Sequence, residues 1–103
     1  KSAGAAADAL AGKKDLAARQ AKWDADDRTR RNKLTQVSKS LAGLRKNVET
    51  ARKTVRGTEA AGANWPGYKN LANQRRALKA AEEALKKALE KQEELSIVTV
   101  RPT

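Results

Sequence analysis

Closely spaced carboxylates are the side chains of this chain that come nearest to a reactive cluster. Asp24, Asp26 and Asp27 fall close enough together to gather oxygen ligands around a divalent cation. Each is followed four residues later by an arginine, which favours ion pairs along one helix face. The glycine and the spacing of a calcium loop are missing. We therefore interpret the cluster as a salt-bridged helix surface and predict no metal site.

The side chains that most often carry out catalysis are also missing. The chain has no histidine and no cysteine, which removes the commonest general base, the commonest metal ligand and the thiolate nucleophile. The glycine-containing stretch Gly57–Gly67 is not followed by a lysine at the spacing of a phosphate-binding loop. The sequence therefore predicts no catalytic residue, no cofactor and no enzymatic activity.

The stretch EAAGANWPGY, residues 59–68, holds two of the three aromatic residues of the chain. Tryptophan and tyrosine are enriched in binding hot spots, and a Trp-Pro-Gly sequence in a turn has little core to cover. We predict that Asn64, Trp65, Pro66 and Tyr68 form a receptor-binding site. The alternative is that Trp65 and Tyr68 only cap the last contacts between the flanking helices.

Positive charge gathers around the same stretch. The net charge of +11 implies attraction to nucleic acid, anionic lipid headgroups or an acidic protein face. Residues 45–76 contain eight basic and two acidic residues, a balance of +6, whereas residues 79–95 contain four basic and five acidic residues, a balance of −1. The basic residues predicted to contribute electrostatically to binding are Arg52, Lys53, Arg56, Lys69, Arg75 and Arg76.

Two helical segments must position this turn. Apolar residues recur at alternating intervals of three and four, the pattern of a coiled-coil seam. In an antiparallel pair, facing residues have numbers with a constant sum. Val55 with Leu71 gives 126, and Val48 with Leu78 gives the same sum, which centres the turn at residue 63. The stripes are Leu34, Val37, Leu41, Leu44, Val48, Ala51 and Val55, then Leu71, Leu78, Ala81, Leu85, Ala88, Gln92 and Leu95, with Leu89 beside them.

The fold class is therefore all-α, a long antiparallel two-helix coiled-coil hairpin with an N-terminal helical extension. The extension either runs on as a single helix, folds back as a third helix, or leans on a domain outside this sequence. Ser96–Val100 is β-branched and strand-like, and is predicted to lead into a following domain. The predicted segments are a flexible or frayed stretch at 1–14, a helix at about 15–56, a turn at 57–67, a helix at about 68–95 and a tail at 96–103.

The chain resembles a known hairpin in four places. These are ARQAK at Ala18–Lys22, KLTQVSKSLAGL at Lys33–Leu44, the Gly/Pro/Trp turn, and NLANQRRALKAAEEALKKALE at Asn70–Glu90. Over roughly Ala18–Glu94 it is similar to the central receptor-binding hairpin of the nuclease colicins and S-type-pyocin-like bacteriocins. The shorter turn and the tail Ser96–Thr103 depart from that pattern. The resemblance implies an antimicrobial toxin arm whose turn residues, here Asn64, Trp65, Pro66 and Tyr68, contact an outer-membrane receptor.

Three classes of function remain open from the sequence. The first is a binding arm of a secreted protein that presents its turn to an outer-membrane or other cell-surface protein receptor. The second is binding of nucleic acid along the basic face, and the third is a structural spacer or assembly element of phage or secretion machinery; in these cases a cytoplasmic location is expected. No run of about 18 apolar residues occurs, so no membrane span is predicted.

Overall fold

A computed structural model of the chain shows two antiparallel helices joined by a short turn. Helix α1 spans Ser2–Ala61, a 3-10 helix spans Pro66–Asn70, and helix α2 spans Leu71–Leu95. The structure describes residues 2–103, with side chains from Ala7 onward. No strand forms among those residues, and the all-α hairpin predicted from the heptad stripes is confirmed.

Helix α1 extends further towards the N-terminus than predicted. It begins at Ser2 instead of near residue 15, so residues 2–14 are helical where a flexible or frayed segment was expected. This stretch is rich in alanine, the strongest helix former, and contains no proline. The prediction for Lys1 lies outside the described residues. Because α1 is also continuous through residues 24–32, no third helix folds back there.

The turn is shorter than the predicted 57–67. Gly57 lies inside α1, and the helix ends only at Ala61, where Gly62 adopts a left-handed backbone with φ of +83°. The N–H of Gly62 donates to the carbonyl of Thr58 at 3.3 Å, which satisfies one of the last carbonyls of the helix. Glycine reaches this conformation without a Cβ clash. Residues 62–65 therefore form the turn itself, before the 3-10 helix starts at Pro66.

The coiled-coil seam lies where the heptad stripes predicted it. All seven stripe residues of α1 from residue 34 to residue 55 are buried or partly buried, and the same holds for the α2 stripe. The deepest apolar side chains, each less than a tenth exposed, are Leu41, Val48, Val55, Leu71 and Leu95. Leu89 is 38% exposed, so it lies at the margin of the seam.

Ion pairs between the helices join residues that are offset from the facing positions. Arg75 Nη2 lies 3.5 Å from Glu59 Oε1, and Arg52 Nε lies 4.0 Å from Glu82 Oε1. Each pair of numbers adds to more than 126, because helical side chains lean towards the N-terminus of their own helix. Because the two helices run in opposite directions, their side chains tilt in opposite directions along the rod. A long basic side chain therefore reaches an acidic residue several positions beyond the residue that directly faces it.

One polar residue lies within the seam of α2 where the sequence analysis did not place one. Gln74 occupies the heptad position between Leu71 and Leu78 and is partly buried. Its Oε1 atom is buried and has no hydrogen-bond donor. A buried acceptor without a donor destabilises a fold, so the seam carries a local cost at this position.

The predicted ion pairs along single helices are confirmed only in part. Asp27 contacts Arg31 at 2.8 Å, as predicted, and also contacts Arg30 at 2.9 Å. Asp24 instead accepts hydrogen bonds from both Nε and Nη2 of Arg101. A two-point contact of this kind is stronger than a contact through one atom of an arginine on the same helix. Among the described side chains, the predicted pair Asp26–Arg30 has no N–O distance within 4.0 Å, and the same is true of Glu82–Lys86 and Glu83–Lys87, which have the same spacing of four.

The C-terminal tail, Ser96–Thr103, is not a strand. It continues past the end of α2 along the surface of α1. The heptad stripe of α1 also runs on below Leu34, and its partly buried positions there are Arg30, Asp27, Trp23, Gln20 and Leu16. Beside this part of the stripe, the tail lies where a second helix would otherwise pack. Polar residues of α1 supply its contacts.

The molecule is a rod of 94 × 18 × 14 Å with a radius of gyration of 25.8 Å. A compact domain of this length would have a radius of gyration of about 13 Å. The long dimension follows from α1, since 60 residues at about 1.5 Å each span roughly 90 Å. The turn therefore stands at one end of the rod, and the tail lies towards the other.

Candidate functional site

The four residues predicted to bind a receptor come together at the end of the rod, in the tip formed by residues 62–70. Asn64, Trp65 and Pro66 are exposed, and Tyr68 is partly buried. Two backbone hydrogen bonds shape the tip: Trp65 N–H donates to Gly62 O at 3.1 Å, and Tyr68 N–H donates to Trp65 O at 2.9 Å. The tip is thus a hydrogen-bonded turn and not a loose loop.

The indole of Trp65 rests against the backbone of Gly67. A Cβ atom added at Gly67 would overlap Cζ3 and Cη2 of the indole, so residue 67 must lack a side chain for the ring to lie there. Trp65 nevertheless remains 48% exposed. The ring is therefore supported on one side and open to solvent on the other.

Proline fixes the entry into the tip 3-10 helix. Trp65 is its N-cap residue, with extended dihedrals of φ −77° and ψ 132°, and Pro66 follows in the first position. A residue before proline is held in the extended region, and proline itself is favoured at the start of a helix. These local preferences hold the backbone of Trp65 in one conformation, which limits the entropy lost when its side chain binds.

Tyr68 differs from Trp65 in its surroundings. It lies in the 3-10 helix and is partly buried, close to where the seam ends at Thr58, which is only 3% exposed. The Thr58 hydroxyl donates to the carbonyl of Thr54 at 3.1 Å and so does not need a partner in the tip. Tyr68 is therefore the more covered of the two aromatic residues, and Trp65 lies on the more open side.

The six basic residues predicted to assist binding are all exposed, but they are not equivalent. Lys53 pairs with Glu49 at 3.2 Å. Arg52 and Arg75 pair with glutamates of the opposite helix, Glu82 and Glu59. Arg76 Nη1 donates to Asn73 Oδ1 at 3.3 Å. Within residues 7–103, no carboxylate lies within 4.0 Å of the two remaining members of the set, Arg56 and Lys69.

A second cluster of polar contacts, which the sequence analysis did not foresee, joins the tail to α1. Trp23 Nε1 donates to Thr99 Oγ1 at 2.8 Å, and Arg101 Nε and Nη2 donate to the Asp24 carboxylate at 3.0 and 3.1 Å. Gln20 Nε2 donates to the backbone carbonyl of Pro102 at 2.9 Å. The only feature of the sequence that could have indicated these contacts is the spacing of three and four that places Gln20 and Trp23 on the heptad stripe.

Electrostatics at this second cluster follow from the Arg101 contact. Hydrogen bonds from Arg101 hold the pKa of Asp24 below its ordinary value, and the nearby charge of Arg28 acts in the same direction. The same hydrogen bonds raise the pKa of Arg101. Both side chains are about half exposed, so solvent and salt screen the attraction between them.

Within residues 7–103, no group of three or more acidic, histidine or cysteine side chains could hold a metal ion. No helix of the described chain combines the length and the apolar character that crossing a bilayer requires.

Comparison with known proteins gives no relative from which a role could be transferred. No family model matches the chain, and no curated protein or solved structure matches it significantly.

Proposed function

We propose that the chain is a non-enzymatic binding arm that presents its tip to a protein receptor on a cell surface. The observation that carries the proposal is Trp65, which is 48% exposed and yet supported by Gly67 at the far end of a stiff rod. An aromatic side chain held in place before binding loses little entropy when it enters a pocket. Exposure of this kind would be an unnecessary cost for a residue that only closed a seam.

The charges around the tip support the same proposal. Arg56 and Lys69 flank the turn without a carboxylate within 4.0 Å among the described side chains, so their charge is available to a partner. Positive charge beside an aromatic anchor speeds the approach to an anionic surface and orients the encounter. Affinity would come chiefly from Trp65, and the association rate chiefly from the basic residues.

A bacteriocin-like arm is the most concrete form of this proposal. The resemblance to the receptor-binding hairpin of the colicins and S-type-pyocin-like proteins implies an outer-membrane receptor and a secreted antimicrobial toxin. Support comes from the shared architecture, an antiparallel hairpin with an aromatic turn at its end. Secretion belongs to the proposal because such a receptor is met only from outside the cell.

Nucleic-acid binding through the basic face is the weaker alternative. Three of the six basic residues, Arg52, Lys53 and Arg75, already have a glutamate within 4.0 Å. Phosphate contacts would have to compete with these glutamates, which lowers the charge that binding could neutralise. The exposed indole of Trp65 is also not needed for contacts to a phosphate backbone.

The test compares the labelled full chain with its Trp65→Ala variant on outer-membrane vesicles from Gram-negative bacteria. We expect saturable binding by the wild type and a loss of affinity of roughly 30-fold or more in the variant, the size expected of a hot-spot residue. Leu10→Ala is the matched control, because Leu10 is 54% exposed and lies far from the tip. Circular dichroism verifies that all three proteins keep their helices.

Two further arms identify the partner. Digestion of vesicle proteins by a protease should abolish binding if the receptor is a protein. Undiminished binding to digested vesicles, or to protein-free vesicles with anionic lipid, would replace the receptor with the lipid surface. Equal affinity of the wild type and Trp65→Ala would refute the role of the tip.

A further inference from the structure

The tail is attached to the hairpin unequally along its length. Its beginning is held firmly: Leu95 is 8% exposed, and its carbonyl accepts a hydrogen bond of 2.7 Å from Arg30 Nη1. Arg30 is itself fixed by Asp27, whose side chain is only 9% exposed. The N–H of Ser96 donates to the carbonyls of Gln92 and Glu93, at 3.0 and 3.1 Å. The junction between α2 and the tail is therefore a stable anchor.

The rest of the tail is held differently. Ile97, Val98 and Val100 are 68%, 58% and 89% exposed, so its apolar side chains contribute little burial. Apart from Ile97 N–H, which bonds to Glu94 O, no backbone–backbone hydrogen bond involves the described residues of the tail beyond Ser96. Attachment beyond the anchor therefore depends on side-chain contacts with α1.

The contacts that hold the far end are polar, and most of them are accessible to solvent. The Asp24–Arg101 ion pair and the Trp23–Thr99 hydrogen bond are exposed, and the bond from Gln20 to the Pro102 carbonyl is partly buried. Hydrogen bonds of this kind exchange with water, and the ion pair weakens as salt increases. Against them stands the entropy gained when the tail becomes free, which favours release.

We propose that residues 97–103 are a releasable strap, anchored at Leu95–Ser96 and closed over Trp23 by the Asp24–Arg101 ion pair. When the strap is closed, Ile97 and Thr99 line a cleft with Trp23 and Arg30. When it opens, the indole of Trp23 loses its acceptor Thr99 and this face of α1 becomes accessible. The state of the strap thus determines whether the face of α1 around Trp23 is covered, and the tip plays no part in this change.

Trp23 itself reports the state of the strap. In a Trp65→Phe background, used only for its optical simplicity, Trp23 is the sole tryptophan of the chain. Quenching of its fluorescence by acrylamide is measured from about 20 mM to 1 M NaCl, a range over which the Debye length falls from roughly 20 Å to 3 Å. We expect quenching to increase with salt, by about twofold or more, while circular dichroism shows unchanged helices.

Variants connect that change to the ion pair. Arg101→Ala should show the high-salt quenching already at low salt, whereas Arg45→Ala, which removes an exposed arginine outside the strap, should behave like the background protein. The charge swap Asp24→Arg with Arg101→Asp should restore protection of Trp23 at low salt. These results together would support the strap.

Two outcomes would overturn it. Quenching of Trp23 that neither salt nor Arg101→Ala changes would show that the ion pair does not control the tail. Increased quenching accompanied by loss of helix would show general unfolding, and the charge swap would then fail to restore protection. Neither result would affect the receptor-binding proposal, which does not depend on the tail.

Discussion

The indole of Trp65 lies on the backbone of Gly67, in the space that a side chain at residue 67 would occupy. The two residues are separated only by Pro66, so the contact is made within the tip and needs no support from the distant seam. Gly67 does not have a positive φ, which means that its role is to make room and not to permit an unusual backbone. The orientation of the most exposed aromatic residue is thus set by the absence of a side chain two positions later.

Gly67→Ala should therefore move Trp65 without unfolding the tip. The added methyl overlaps the indole, and the ring is the part free to move, so we expect it to become more exposed. In a Trp23→Phe background, the emission of Trp65 should shift to longer wavelength and its quenching by acrylamide should rise. Binding to vesicles should weaken, because the anchor is no longer held in place.

The control for that experiment is Gly57→Ala, since nothing lies within 4 Å of a Cβ at this helical position. It should leave the emission of Trp65 unchanged. An unchanged spectrum in Gly67→Ala as well would show that the contact does not persist in solution.

Gly62→Ala should lower the free energy of unfolding by roughly 1 kcal/mol or more, because an L-residue at φ +83° is strained. Gly43→Ala is the matched control, and we expect it to change the free energy of unfolding in the opposite direction. Residue 43 lies inside α1 with open space around its Cβ, and alanine there should stabilise the helix by up to about 1 kcal/mol. Urea unfolding of both variants measures the two changes, and a loss of the same size in each would contradict the assignment of Gly62 as the helix terminator.

Gln74→Leu should stabilise the hairpin by about 1–2 kcal/mol. The substitution removes a buried oxygen that has no donor and adds apolar surface to the seam. Gln92→Leu should stabilise less, because Gln92 Nε2 donates to Ser38 Oγ at 3.3 Å and that bond would be lost. A urea midpoint for Gln74→Leu at or below that of the wild type would show that the oxygen is satisfied in solution.

Acid should open the strap before it melts the helices. The pKa of Asp24 is lower when Arg101 is docked than when it is not, so the carboxylate stabilises the closed strap at pH values above its ordinary pKa. That stabilisation is lost as the pH falls through the pKa of the closed state. Quenching of Trp23 in the Trp65→Phe background should therefore rise below about pH 4.

Other charged groups near Asp24 must be separated from it. Arg28, Arg30 and Asp27 lie on the same helix, and Asp27 contacts Arg30 at 2.9 Å. Asp24→Asn is therefore compared with the background protein over the same range of pH. It should be quenched already at neutral pH and should change little with acid; an acid transition that survives in Asp24→Asn would show that the effect does not come from Asp24.

The hairpin could be predicted from the sequence because its stabilising pattern is periodic and local. Leu41, Val48 and Val55 recur every seven residues, and the constant sum with the α2 stripe fixed both the partner and the centre of the turn. The exact end of α1 was harder to predict from the sequence. Gly57 and Gly62 look alike in the sequence, and only the positive φ of Gly62 shows which of them ends the helix.

The docking of the tail could not be predicted for a different reason. Its contacts join residues about 80 positions apart, for example Gln20 and Pro102, and they are isolated polar contacts without periodicity. The β-branched run Ser96–Val100 favours a strand, but a strand needs a neighbouring strand, and α1 provides polar side chains instead. Continuing the heptad count below Leu34 would have placed Trp23 on the contact face.

The seam of uniform heptads has a further consequence for the reach of the molecule. Because facing positions depend only on a constant sum, inserting seven residues into α1 and seven into α2 at matching heights would leave every other pairing unchanged. Each such double insertion would lengthen the rod by about 10 Å. The distance between the tip and the opposite end is thus adjustable in fixed increments, and a descendant protein could change its span without redesigning either the tip or the strap.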